Sequence, residues 1–346
     1  MKQKNIYIQA AQQISMQQPM SEQWMEEPMA YDEVFVKAVN PSFRDYMAAN
    51  EARRMGNLMK RALVTTLKVL KDTGIEHPDA IITGTSLGSL DYTERFLTDM
   101  VENDEETLSP THFMQSTHNT VGSALGIYTK SHGYNTTYSH GSMSFDLALL
   151  DAWMQMQLGK ITTSLVGGHE EMVESYVELL KKTGYVSAER MVPCSEVAVA
   201  MMLNTEKHDE SLCEFAGVRV CNVTSVETLK TQIDRLLADN GLTMDDVSAV
   251  MTGINGNPKN DDCYADVLED VFAKKSQLQF KNVFGENFTA SAFGVYAAAN
   301  CLKKNVVPAF MYSEKSPCKC DDLETVLILN QMNGREYSVV LLKRIK

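Results

Sequence analysis

Short apolar runs alternate along this chain with longer stretches in which apolar positions recur at helical spacing. Strands are predicted at Ile6 to Ile8, Ala80 to Thr83, Thr136 to Tyr138, Thr163 to Val166, Val197 to Leu203, Val247 to Met251, Val326 to Leu329 and Ser338 to Leu342. Helices are predicted at Ala52 to Thr73, Thr120 to His132, Phe145 to Leu158, Val226 to Asn240, Tyr264 to Phe272 and Ser291 to Lys304. Runs this short and continuously apolar read as strands covered on both faces, and their alternation with helices is the pattern of an α/β protein.

Two stretches of the pattern resemble each other. Ser195-Glu-Val-Ala-Val-Ala-Met-Met-Leu203 and Gly334-Arg-Glu-Tyr-Ser-Val-Val-Leu-Leu342 each end in an apolar strand, and upstream of each lies a small-residue turn with an alanine-bearing helix, Gly141 to Ala152 and Thr289 to Ala299. The chain therefore reads as two similar halves, 1–205 and 206–346, meeting at the polar stretch Asn204-Thr-Glu-Lys-His-Asp-Glu-Ser211.

Composition narrows the classes. With 346 residues, 44% of them hydrophobic, the chain can bury a large core. A net charge of -13 disfavours nucleic acid and anionic membrane as partners. The seven cysteines are odd in number and scattered, as reduced thiols of a cytoplasmic protein would be; Cys318 and Cys320 have no second pair to complete a metal site, and neither metal nor cofactor is expected. The start of the chain lacks a signal-peptide apolar region, and no run approaches the length of a membrane span. All seven histidines lie at or before His208, leaving the last 138 residues without one.

Candidate chemistry concentrates between Asn119 and Glu170. A strand, Thr136-Thr-Tyr-Ser139, runs into a tight turn, His140-Gly-Ser-Met-Ser144, then a long helix, Gly159, a second strand and Gly167-Gly-His-Glu170. A turn residue at a helix N-terminus meets unpaired N–H groups and the positive end of the dipole, which stabilise a thiolate, an oxyanion or a phosphate. Read alone, Ser142 or Ser144 is equally a helix cap.

This arrangement resembles the β-ketoacyl synthases, condensing enzymes of fatty-acid and polyketide synthesis. Asn119, Ala148, Ala152, Gly159 and Gly167-Gly168-His169-Glu170 fall on the family pattern without a gap. Lys4-Asn-Ile-Tyr-Ile-Gln9, Arg53-Arg54-Met55, Thr83-Gly-Thr-Ser-Leu-Gly-Ser89 and Leu108-Ser-Pro-Thr111 resemble further family segments, and the likeness spans roughly the whole chain, trimmed after Ile14, after Glu170 and between the halves. It implies a thiolase-like layered α/β/α/β/α fold of two similar halves, an acyl carrier protein with its acyl thioester as partner, and a dimer, either a homodimer or a heterodimer with an active ketosynthase. Thr136 to Ser139 and the helix from Thr120 are the candidate interface elements. Glu170 is expected to be structural, and His169 to have no catalytic role.

The family's catalytic positions are where the chain departs. The nucleophilic cysteine position holds Ser142. Gly253-Ile-Asn-Gly-Asn-Pro-Lys-Asn-Asp261 matches the His-Gly-Thr-x-Thr-Pro-x-x-Asp motif at Pro258 and Asp261, but Gly253 replaces the first histidine. Lys281-Asn-Val-Phe-Gly-Glu286 keeps the lysine and glycine of the second motif, with Glu286 in the second histidine's place. At the family's Gly-Phe-Gly-Gly turn stands Gln331-Met-Asn-Gly334.

A serine needs a positioned base that a cysteine does not, and an ionised Glu286 would oppose a developing oxyanion. One lost oxyanion donor costs about 3 to 4 kcal/mol. The departures point to a non-condensing partner similar to the chain-length factors of polyketide and aryl-polyene systems. Two other readings stay open: an acyltransferase or hydrolase using Ser142, with His140, His118 or Glu286 as base, or a genuine 3-oxoacyl synthase with atypical residues. A pure binding module for an acyl chain or carrier protein, with Arg53-Arg54, Lys181-Lys182 or Lys303-Lys304 as basic docks, is a further possibility.

Overall fold

Strands apolar on both faces need a layer on each side, and the chain supplies them. The computed structural model describes residues 3–106, 108–186, 191–223 and 225–346. Its strands are β1 (Tyr7–Ile14), β2 (Phe35–Val36), β3 (Ala80–Gly84), β4 (Tyr134–Tyr138), β5 (Thr163–Glu170), β6 (Cys194–Ser195), β7 (Val197–Asn204), β8 (Cys213–Asn222), β9 (Ala249–Thr252), β10 (Ser276–Gln279), β11 (Thr325–Met332) and β12 (Glu336–Lys343). Ten of them form one sheet in the order β10-β9-β11-β12-β8-β1-β7-β5-β3-β4, while β2 and β6 pair separately.

That order is a repeat. In the first half β3 lies parallel to β4 and β5, and β5 and β1 lie antiparallel to β7. In the second half β9 lies parallel to β10 and β11, and β11 and β8 lie antiparallel to β12. The two sets join where Tyr7 and Ile8 of β1 pair with Glu214 and Cys213 of β8.

Period-2 alternation then builds five layers. Ala80, Ile82, Val326 and Ile328 face an inner core shared with the helices Ser144–Gln157 and Ser291–Lys304. Ile81 faces outward onto Asn57–Thr73 and Thr120–Thr129, and Leu327 and Leu329 face outward onto Val226–Asp239 and Pro258–Asp270. The sandwiched helix Ser291–Lys304 is buried from Ser291 through Leu302. Close approach of strand to helix demands glycine: a Cβ on Gly84 would lie 2.6 Å from the Ser144 carbonyl oxygen, and one on Gly168 would lie 2.7 Å from Ala292 Cβ.

Several elements differ from the sequence expectation. The first strand runs on to Ile14 through the glutamines, because buried amides are satisfied inside: Gln9 Oε1 accepts from Asn204, and Gln13 donates to the Gln18 carbonyl. Strand β8 is broken in composition by Gly217 and Arg219, and β10 reads Ser-Gln-Leu-Gln, so neither presents an apolar run. The buried Gln277 of β10 is tied instead to the Leu268 and Phe272 carbonyls. The helix expected at Tyr264 begins at Pro258, with the Asn257 side chain accepting from Lys259 N. The helix from Thr120 stops at Thr129, where Lys130 turns left-handed. The helices Leu90–Glu102, Pro110–Ser116 and Glu174–Lys182 add to those expected.

One buried carboxylate ties the halves. Asp146, on the first inner helix, accepts from Ser291 Oγ (2.8 Å), Asn330 Nδ2 (2.9 Å) and Ser338 Oγ (2.7 Å), all from the second half. Burial pushes its carboxyl pKa up, against these bonds. Asp146→Ala would strand three buried donors, so a loss of about 3 kcal/mol is expected in urea unfolding, with Asp146→Asn less severe.

Candidate functional site

The turn after β4 is built by Ser144, whose hydroxyl accepts from His140 N (2.8 Å) and donates to the Gly141 carbonyl (2.7 Å). Ser144 therefore ties the turn to the first residue of the helix, whose N-cap Met143 makes no side-chain cap bond. Ser142 is left half-buried at the tip, just ahead of the helix that begins at Ser144. Asn330 Nδ2 fixes the turn by donating to the Ser142 carbonyl at 2.8 Å while it also bonds Asp146. The Tyr185 hydroxyl interacts with the Ser142 side chain. Burial, then the Glu286 charge, push the Tyr185 phenol pKa up.

The second-half motif residues meet at one buried cluster. Lys281 Nζ lies 2.7 Å from Glu286 Oε2, which also accepts from Asn255 Nδ2 at 2.5 Å. Gly253 lies against this cluster: a Cβ there would stand 2.8 Å from the Tyr264 hydroxyl and 3.2 Å from Lys281 Nζ. The space into which a side chain at this position would project is thus filled by Tyr264 and Lys281. The retained Asp261 has a purely local task, its carboxylate accepting from Asn255 N and Gly256 N at 2.9 Å each and shaping the loop. The Glu286 carboxylate is compensated by a lysine and an amide.

The bases considered for Ser142 point elsewhere. His140 Nε2 lies 2.9 Å from Glu336 Oε1, His118 Nε2 lies 3.1 Å from the Ser86 carbonyl, and Glu286 is held by Lys281 and Asn255. Cys194, beside Glu286, is fully buried, and burial together with that charge pushes its thiol up to about 12. A thiol so raised does not substitute for the missing nucleophile.

Glu170 holds the glycine-rich loop after β3, accepting from Ser86 N (2.8 Å), Leu87 N (2.9 Å) and Thr85 Oγ1 (3.1 Å). Burial outweighs those bonds and pushes its pKa up to about 8. His169 is fully buried, and burial lowers its pKa to about 3, so the ring stays neutral. Outside the motifs, a buried Arg61–Glu196 ion pair at 2.8 Å joins the outer helix to the start of β7. Sequence reasoning missed Tyr185, Asn330 and Asp146. Only Asp146 left a signal, as a lone acid among the apolar positions of a helix start.

A strand-turn-helix set in a duplicated, layered sheet defines a thiolase-like fold. The chain belongs to the β-ketoacyl synthase family, its residues 21–244 matching the family's N-terminal domain. It is similar in structure to the ishigamide ketosynthase/chain length factor (TM-score 0.81, 13% identity, 99% of this chain and 100% of that one). It is similar also to a β-ketoacyl synthase from Burkholderia phymatum STM815 (TM-score 0.81, 15% identity, 99% and 100%). A third is the ketosynthase ApeO in complex with its chain length factor ApeC from Xenorhabdus doucetiae (TM-score 0.78, 14% identity, 99% and 98%). No curated protein matches the chain.

Two measurements check this account. Gly253→Ala should destabilise the protein by about 1 to 3 kcal/mol in urea unfolding, because Tyr264 and Lys281 must shift to admit one methyl group. For pH, the Glu170 carboxyl is raised from 4.5 to about 8 on folding, so its contribution is fully present below pH 4.5 and is lost as pH rises through about 8. The urea midpoint should fall across that interval, and Glu170→Gln should flatten the fall.

Proposed function

We propose that this protein is a non-condensing ketosynthase-like subunit, similar to a chain-length factor, that pairs in the cytoplasm with a cysteine-bearing ketosynthase in fatty-acid, polyketide or aryl-polyene synthesis. The observation that carries the reading is the filled space at Gly253. Tyr264 and Lys281 occupy it, and Lys281 is bound to the glutamate in the second histidine's place. With Ser142 at the cysteine position, its candidate bases His140, His118 and Glu286 are engaged with other groups, which disfavours an acyl-enzyme. An acyl carrier protein bearing an acyl thioester would then be engaged together with the partner. The same reading divides the chain into 1–205 and 206–346, supported by the repeated strand order.

The surface supports partnership. Strand β4 ends the sheet with an open edge, and Tyr134 on it is 40% exposed. Near it in sequence Ile127 is 81% exposed, and Phe113 and Met114 are exposed as well, a density of apolar side chains that favours a protein contact. Two of the structures similar in fold are described as ketosynthase and chain length factor together. The hydrolase and acyltransferase readings gain no specific support, because His140, His118 and Glu286 are each bonded to other groups.

Co-expression with a cysteine-bearing ketosynthase, followed by native mass measurement, should give a 1:1 complex. Ile127→Lys should weaken that complex by about ten-fold or more in Kd, equivalent to about 1.4 kcal/mol. A stable homodimer with acyl-transfer activity abolished by Ser142→Ala would overturn the proposal.

A further inference from the structure

Two side chains close on the tip of the nucleophile-position turn from different directions. From the second half comes Met332, at the end of β11: a Cβ on Gly141 would lie 2.5 Å from Met332 Sδ, so the thioether rests on the turn itself. The hairpin carrying Met332 is anchored there on either side, by Asn330 bonding the Ser142 carbonyl (2.8 Å) and by Glu336 meeting His140 (2.9 Å).

From the first half comes Tyr185. Its ring stacks on Phe288 at 5.4 Å and 24°, its carbonyl is held by Asn257 Nδ2 at 2.9 Å, and its hydroxyl interacts with the Ser142 side chain. Tyr176 packs edge-on against Phe288, with ring centroids 6.4 Å apart. A ring fixed by stacking and by a backbone hydrogen bond is not free to swing aside at no cost.

We infer that Tyr185 and Met332 occupy the approach to Ser142, so that the chain's own side chains fill the place a thioester would take. This closure is separate from the partner reading, since a subunit can bind a partner with this cleft open or shut. It is also separate from the loss of the nucleophile: restoring a cysteine alone would place a thiol behind two anchored side chains. At a helix N-terminus such a thiol would ionise readily, so slow chemistry there would reflect access and not weak nucleophilicity.

The test is iodoacetamide labelling of the full-length Ser142→Cys protein, quantified peptide by peptide by mass spectrometry, with the exposed Cys318 as internal standard. Position 142 should label at least about ten-fold more slowly than Cys318, even with an ionised thiol. Adding Tyr185→Ala and Met332→Ala should accelerate it about ten-fold, whereas Tyr185→Phe, which keeps the stacked ring, should not. Labelling as fast as at Cys318, or no acceleration in a trimmed variant with a cooperative thermal transition, would overturn the inference. Should the trimmed variant not fold, the ratio of iodoacetamide to N-ethylmaleimide rates in Ser142→Cys alone decides. A ratio higher at position 142 than at Cys318 supports closure, and equal ratios overturn it.

Discussion

A buried carboxylate that pairs with no cation among the described residues sits where the two halves of this protein meet. Asp146 takes two hydroxyls and one amide from the second half, and the same amide reaches on to the Ser142 carbonyl. The position of the turn is thereby set by the packing of one half on the other. A buried acid is costly unless its lone pairs are filled, so this arrangement specifies one register of the inner helices and penalises others. Everything at the cleft inherits that register: the hairpin that brings Met332 onto Gly141 is the one that supplies Asn330 and Ser338.

The polar groups that replace catalytic ones are satisfied by one another. Lys281, Glu286 and Asn255 make a closed set, and the Tyr264 hydroxyl lies against Gly253 beside it. In a condensing site, donors stand ready toward an oxyanion that forms only during reaction. Here Lys281 and Asn255 already share the Glu286 carboxylate as acceptor in the resting protein, which stabilises the fold. The exchange is physical as well as chemical, because a buried ion pair broken by removing one member would leave an uncompensated charge.

How much of this was legible in the sequence follows from what each residue contacts. Strands buried on both faces announce themselves as apolar runs, and β3, β5, β7, β11 and β12 were read that way. Strand β10 was not, because its polar glutamine is satisfied by carbonyls from an adjacent helix end rather than by water. The motif spacing located Ser142, Gly253, Lys281 and Glu286, and the structure brings the last three into one cluster. Spacing carries no information about side chains arriving from elsewhere. Tyr185 follows a stretch without a motif, and Asn330 lies inside an apolar strand, so neither could be placed opposite Ser142 from sequence.

The residues that keep the family pattern and those that leave it differ in the work they do. Asp261 ties down two loop N–H groups, Glu170 ties down two more and a hydroxyl, and Gly84 and Gly168 permit strand and helix to touch. Replacing any of these would cost folding energy directly. Under the proposed non-condensing role, the positions held by Ser142, Gly253 and Glu286 carry no such obligation, and Tyr264, Lys281 and Asn255 pack and pair around the last two. Preservation of the scaffold together with the outward-facing apolar residues near β4 is what selection for assembly would retain. Selection for turnover would have kept the cleft open first.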